Sequence, residues 1–267
     1  MADWARMAVR LGVFVVPSAV DPAATVNQIV AADEAGLDLV GVQDHPYQQR
    51  FFDTWTLLSY VAARTERVRL VPDVANLPLR GALMLAKAAA SLDVLSGGRV
   101  ELGLGAGAMW DGIERMGGAR LSAKESVDAV EQAIPGMRDF WSSEHNGPAP
   151  AHPIGIWLGA YGPRMLRITG RLADGWLPSI GGKYMTADDA PRMQAAIDEA
   201  ARRAGRDPAE IERAVNVTAL GDDPADELAR IAELGFTTLI VSLPGDDPVG
   251  FVRRLGEDVA PRLRERA

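Results

Sequence analysis

A few short segments hold most of the side chains that could do chemistry. Gln43-Asp44-His45-Pro46-Tyr47 sets an imidazole beside a carboxylate, a pairing suited to acid–base work. Asp44 could tune the charge of His45 or cap a turn. Gly103-x-Gly105-x-Gly107 has the look of a phosphate-cradling loop, but the third glycine of a dinucleotide fingerprint is missing. Gly159-x-x-Gly162-Pro163-Arg164 is the stronger signal. There a glycine turn feeds a helix whose first residue is proline, and the free amides at such an N-terminus suit a phosphate. A plain tight connection is its alternative reading. Tyr47, Trp55, Trp110 and Trp176 could line a pocket for a planar substrate, although aromatic side chains also serve as packing.

Composition narrows the chemistry further. The chain has no cysteine and three histidines, so a thiolate nucleophile is excluded and a histidine-rich metal site is not expected. Its formal net charge of −8 argues against nucleic acid or anionic membrane as a partner. Residues 1–6 do not read as a secretory leader, and the apolar run 13–16 is far too short to span a bilayer. A cytoplasmic location is expected. The acidic pairs Asp188-Asp189 and Asp222-Asp223 sit at helix starts, where capping explains them.

The elements that must position these residues alternate. Strand-like runs are expected at 9–16, 37–42, 67–74, 99–104, 154–158, 173–177, 214–220 and 237–242. Between them lie helical stretches, several opened by Asp-Pro or closed by glycine. Pro135-Gly136 is expected to kink or split the helix 123–141. The segments EAGLDLV (34–40) and ELGFTTL (233–239) look like copies of one helix-to-strand join. Eight strand–helix pairs in 267 residues predict a single (β/α)8 TIM barrel over 1–267, with a doubly wound open sheet as the alternative. In such a barrel the working face gathers the C-terminal strand ends, where the polar, aromatic and glycine residues above cluster.

The blocks QDHPY (43–47), LVPDVANLPLR (70–80), LDVLSGGRV (92–100) joined to LGLGAG (102–107), WLGAYGPRML (157–166) and GRLADGW (170–176) occur together and in order. In these the chain resembles the bacterial-luciferase-like flavin and deazaflavin oxidoreductases, over roughly residues 8 to 265. The resemblance implies a TIM barrel binding coenzyme F420, or alternatively FMN, at the strand C-termini. It places His45 beside the reactive carbon of the ring, to move a proton or orient the substrate. Asp44, Asp73, Val74 and Ala75 would lie along the ring, with a cis peptide at Asp73–Val74 and Val74 as buttress. Backbone amides of Gly105, Ala106 and Gly107, and of Gly159, Ala160, Tyr161, Gly162, Pro163 and Arg164 (proline contributing only its carbonyl), would surround the cofactor phosphate.

The implied reaction is hydride transfer between F420 and an unidentified organic substrate. The alternatives are an FMN-dependent monooxygenase or a non-catalytic flavin-binding paralogue. The implied partners are a small organic substrate, a second copy of the chain in a homodimer, and a separate flavin or F420 reductase that recycles the cofactor. One departure stands out. Sugar-phosphate dehydrogenases of this type carry a glutamate directly after the glycine loop, where this chain has Ala108, so Asp111 or Glu114 would have to substitute.

Overall fold

The computed structural model describes residues 9–182, 184–221 and 223–266, so the expectations for residues 1–6 and for Asp222 lie outside it. Ten strand segments run through it. They are β1 (Arg10–Val15), β2 (Leu39–Val42), β3 (Arg69–Pro72), β4 (Ala75–Asn76), β5 (Leu102–Gly105), β6 (Ile156–Leu158), β7 (Gly175–Trp176), β8 (Ser179–Ile180), β9 (Glu212–Val217) and β10 (Thr238–Ser242). Their hydrogen-bonded order is β3-β2-β1-β10-β9-β7-β6-β5-β4, with β8 also on β9, and every pairing is parallel. β3 and β4 are halves of one broken strand, as are β7 and β8, which leaves eight staves. The two ends of the order therefore meet. A bridge between Leu70 and Val100, and the pairing of Ala75 with Leu104, close the ring into the expected TIM barrel.

Ten helical segments surround it: α1 (Pro22–Glu34), α2 (Thr54–Ala62), α3 (Ala82–Ser96), α4 (Trp110–Arg115), α5 (Ala123–Ser142), α6 (Pro163–Leu172), α7 (Ala190–Arg203), α8 (Pro224–Glu233), α9 (Pro248–Arg254) and α10 (Ala260–Arg266). Their ends follow local chemistry. The Asp21 carboxylate accepts the Ala24 N–H at the start of α1, with Pro22 at the first helical position. α3 stops at Gly97, whose φ of 73° is left-handed.

Three expectations need correction. α5 is one continuous helix of 20 residues, not split at Pro135, because its buried face (Val130, Ala133, Ile134, Met137) packs along its length. The last helix is interrupted by a π-type turn at Leu255–Val259. The strand-like run 67–74 is not continuous but breaks at Asp73–Val74, where the resemblance had implied a cis peptide, and α4 was not foreseen.

Side chains inside the barrel form a small apolar plug of Leu39, Val71, Trp157, Leu177, Ala214 and Ile240, against which Phe14 and Val74 pack. The larger apolar layer lies between the strands and the helices. Ion pairs Arg10–Glu212 and Arg69–Glu101 lie toward the N-terminal strand ends. The C-terminal ends are left to carry a site.

Candidate active site

The residues after β2 leave the barrel as Gln43, Asp44 and His45. Asp44 turns inward and is buried; its Oδ2 accepts the backbone N–H of Asn76 at 3.0 Å and faces Arg80 Nε at 3.5 Å. Burial pushes its carboxyl up, and the Asn76 N–H and the Arg80 cation partly oppose that. One residue on, His45 is half-buried at the rim. Its Nδ1 lies 3.0 Å from Gln43 Nε2, a contact satisfied when the amide donates, which leaves the ring proton on Nε2. Burial lowers the imidazole pKa against the pull of the Asp44 charge, so the ring is neutral at neutral pH. Tyr47 stacks on it with centroids 5.4 Å apart and an interplanar angle of 21°, and donates to the Ala108 carbonyl at 3.4 Å.

The next stave supplies the floor. The Asp73–Val74 peptide is cis, as the resemblance implied. Val74 then lies over positions without side chains: a Cβ on Gly105 would stand 2.7 Å from Val74 Cγ2, so alanine cannot be accommodated there without a shift. Asp73 points into the barrel and accepts the Asn216 amide N–H at 3.0 Å. Four buried oxygens around this floor have no partner among the described residues: Asp44 Oδ1, Asp73 Oδ2, Asn76 Oδ1 and Asn216 Oδ1. Native proteins rarely leave such atoms unmet, and a bound molecule bearing donors fits them.

Beside the floor, the glycine loop turns at Gly107, whose φ of 98° favours glycine, with Pro78 and the Trp110 ring packed against it. Ala106 and Gly107 are only half-buried. Ala106 also borders an apolar cleft of about 380 Å³ between α3 and α5, whose lining includes Leu77, Pro78, Leu83 and Gln132. Across the mouth, Gly159, Ala160 and Tyr161 lead to Gly162, the N-cap of α6, with Pro163 first in the helix and no side-chain cap. The leading amides of α6 are thus left to a ligand or water. The Arg164 side chain is committed elsewhere, paired with Asp128 at 2.6 Å and Glu131 at 2.5 Å, so its part in any phosphate site is its backbone.

Two of the aromatic expectations are corrected. Trp176 is fully buried, stacks on Phe236 at 5.7 Å, and donates its Nε1–H to the Ala160 carbonyl at 2.8 Å. It braces the turn rather than lining a pocket. Trp55 lies in the core on α2 at 7% exposure, where so large a ring serves as packing. Tyr47 and Trp110 do stand at the mouth. Neither Asp111 nor Glu114 is available in place of the missing glutamate, since both pair with Arg120 on the exposed face of α4.

Asn216 was missed, although its position gave a signal. It is a polar residue interrupting the apolar run 214–217 of β9, and alternation within the strand points it the same way as Ala214 of the barrel plug.

A closed parallel barrel with its polar groups gathered at one rim defines a (β/α)8 enzyme scaffold, and the comparisons say which kind. The luciferase-like monooxygenase family matches residues 8–264, and the chain belongs to that family. It is 26% identical to an F420-dependent glucose-6-phosphate dehydrogenase of Intrasporangium calvum, over 91% of this chain and 95% of that protein. Among solved structures, an F420-dependent secondary alcohol dehydrogenase in complex with an F420-acetone adduct superposes with a TM-score of 0.83 at 18% identity, covering 96% of this chain and 99% of that one. An FMN complex of the oxygenating constituent of 3,6-diketocamphane monooxygenase from Pseudomonas putida has a TM-score of 0.75 at 19% identity, covering 96% and 98%. Among the described residues no helix is long and apolar enough to cross a membrane.

Proposed function

We propose that this chain is an oxidoreductase that passes a hydride between coenzyme F420 and a small organic alcohol or carbonyl compound. The observation that carries this reading is the placement of a neutral His45 at the same rim as the Asp73–Val74 turn and its glycine cradle. The bound deazaflavin supplies an obligate hydride carrier; the protein's part is placement, shielding and proton transfer. Val74, with Gly105 and Gly159 beside it, would support one face of the ring. The amides of the 105–107 loop and of the α6 N-terminus would take the phosphate.

His45 is suited to the proton. Gln43 occupies Nδ1, so Nε2–H is the atom free to donate to an alkoxide developing on the carbonyl oxygen. Tyr47, stacked on the imidazole, limits its rotation and keeps water from one face. The oxidoreductase is proposed to work as a homodimer with a separate reductase recycling its cofactor.

The likeness to an FMN complex supports a second reading, an FMN-dependent monooxygenase on the same floor. Fluorescence-quenching titration of the apoprotein separates the two. F420 binding far more tightly than FMN, with substrate-dependent bleaching of its absorbance, is the expected result. Preference for FMN, with oxygen consumption, would overturn the first reading.

A further inference from the structure

The site lacks the glutamate that would follow the glycine loop, and the acids of α4 are bound to Arg120. Two buried carboxyl groups stand at the barrel mouth, Asp44 and Asp73. Asp44 is committed to Asn76 and Arg80. Asp73 is different. Its side chain sits inside the barrel at the end of β3, one residue before the Val74 buttress, and is 6% exposed. Its Oδ1 takes the Asn216 N–H, while Oδ2 lies against Gly41 of β2, 2.7 Å from where a Cβ would stand, with no partner among the described residues. Burial and the Asn216 amide are the influences that act on its charge, and among the described residues no cation offsets the burial. A carboxylate there would be an uncompensated buried anion, whereas a proton on Oδ2 removes the charge and turns an orphan acceptor into a donor.

We propose that Asp73 is a proton-holding positioning residue in the floor of the cofactor site: with Oδ2 protonated the floor is uncharged and accepts the phosphorylated, electron-rich coenzyme, and ionisation of Asp73 expels it. This deepens the F420 reading and rests on it. The direction agrees with the environment, which raises this carboxyl to about 7. Asn216 acts on the floor through Asp73, because its N–H stabilises the anion and so sets where the floor switches.

The test uses the full-length protein in two measurements. In the first, melting temperatures of apoprotein are compared for wild type and Asp73→Asn across the pH range. A raised folded-state value means that the stability contributed by the protonated group is complete below the unfolded value of 3.8 and is lost as pH rises to about 7. Asp73→Asn keeps the neutral shape, so its melting temperature relative to wild type should climb between pH 4 and pH 8. A difference that does not change with pH overturns the proposal.

In the second measurement, F420 affinity is read by fluorescence quenching at pH 6 and pH 8.5. Wild type should lose up to about 30-fold, one decade per pH unit above the switch, beyond any loss shared with Asp73→Asn. Asn216→Ala, which removes the anion's one hydrogen bond, should move the break to higher pH and serves if Asp73→Asn fails to fold. Equal pH dependence in all three proteins sinks the role of Asp73 and leaves the F420 reading standing. If F420 does not bind wild type at either pH, that reading fails, and the role in cofactor binding with it; the melting comparison still reports whether Asp73 holds a proton.

Discussion

Asp44 Oδ2 accepts the backbone N–H of Asn76 at 3.0 Å, tying the end of the second stave to the far side of the break in the third. The bond is buried and lies one residue from His45, so it sets the height of the imidazole above the floor. Asp44→Ala leaves the Asn76 N–H without its acceptor and takes from Arg80 one of its two carboxylate partners, Asp53 being the other. An unmet buried donor costs about 1–3 kcal/mol, which should appear as a lowered chemical-denaturation midpoint at unchanged m-value. Asp44→Asn keeps the shape but removes the charge that holds the His45 pKa up. The His45 ring resonances should then titrate at lower pH than in wild type.

His45 itself makes a pH prediction. Burial lowers its pKa from the ordinary 6.5, so the neutral, Nε2-protonated ring is populated further into the acid range than a free imidazole would be. The ring carries a proton on Nε2 in both charge states, so kcat/KM for carbonyl reduction should not fall on the acid side as the ring charges below pH 6.5. His45→Ala should cut kcat by about 10²- to 10⁴-fold while leaving F420 affinity within a few-fold, because general acid–base help acts on the chemical step. Unchanged turnover in this variant would remove His45 from the mechanism.

Two glycine positions make a paired test of the cradle. Gly105→Ala drives a methyl to 2.7 Å from Val74, so the buttress or β5 must shift. The cost is about 1–3 kcal/mol of stability, together with at least a tenfold loss of cofactor affinity. Gly162→Ala meets nothing within 4 Å and has an ordinary extended backbone, so neither quantity should change by more than a few tenths of a decade.

Trp176→Phe keeps the stacking on Phe236 but leaves the buried Ala160 carbonyl without its donor. A loss of about 1 kcal/mol in stability is expected. If the turn holds the phosphate, F420 affinity should fall while kcat at saturation does not, since the chemistry sits across the mouth at His45. A pure loss of kcat would place Trp176 elsewhere in the mechanism.

The repeating architecture was legible in the chain because each strand and helix is set by neighbours in sequence. Asp21-Pro22, Asp223-Pro224 and Gly97 mark helix ends through local capping and backbone freedom, and the apolar periodicity does the rest. So were His45, the two glycine turns and the Asp73–Val74 break, the first two from residue type and position after a strand, the last from family resemblance. What the tertiary structure decided is which polar atoms face one another.

Nothing local tells that Asn216 reaches Asp73 from 143 positions away, or that Arg120 claims Asp111 and Glu114. Nor does the run of residues around Trp176 show whether its indole faces a pocket or supports Ala160. Barrel closure makes those choices, because it brings strands distant in sequence to a common interior. There burial, rather than residue type, determines which carboxyl keeps its proton and which aromatic ring is buried as packing.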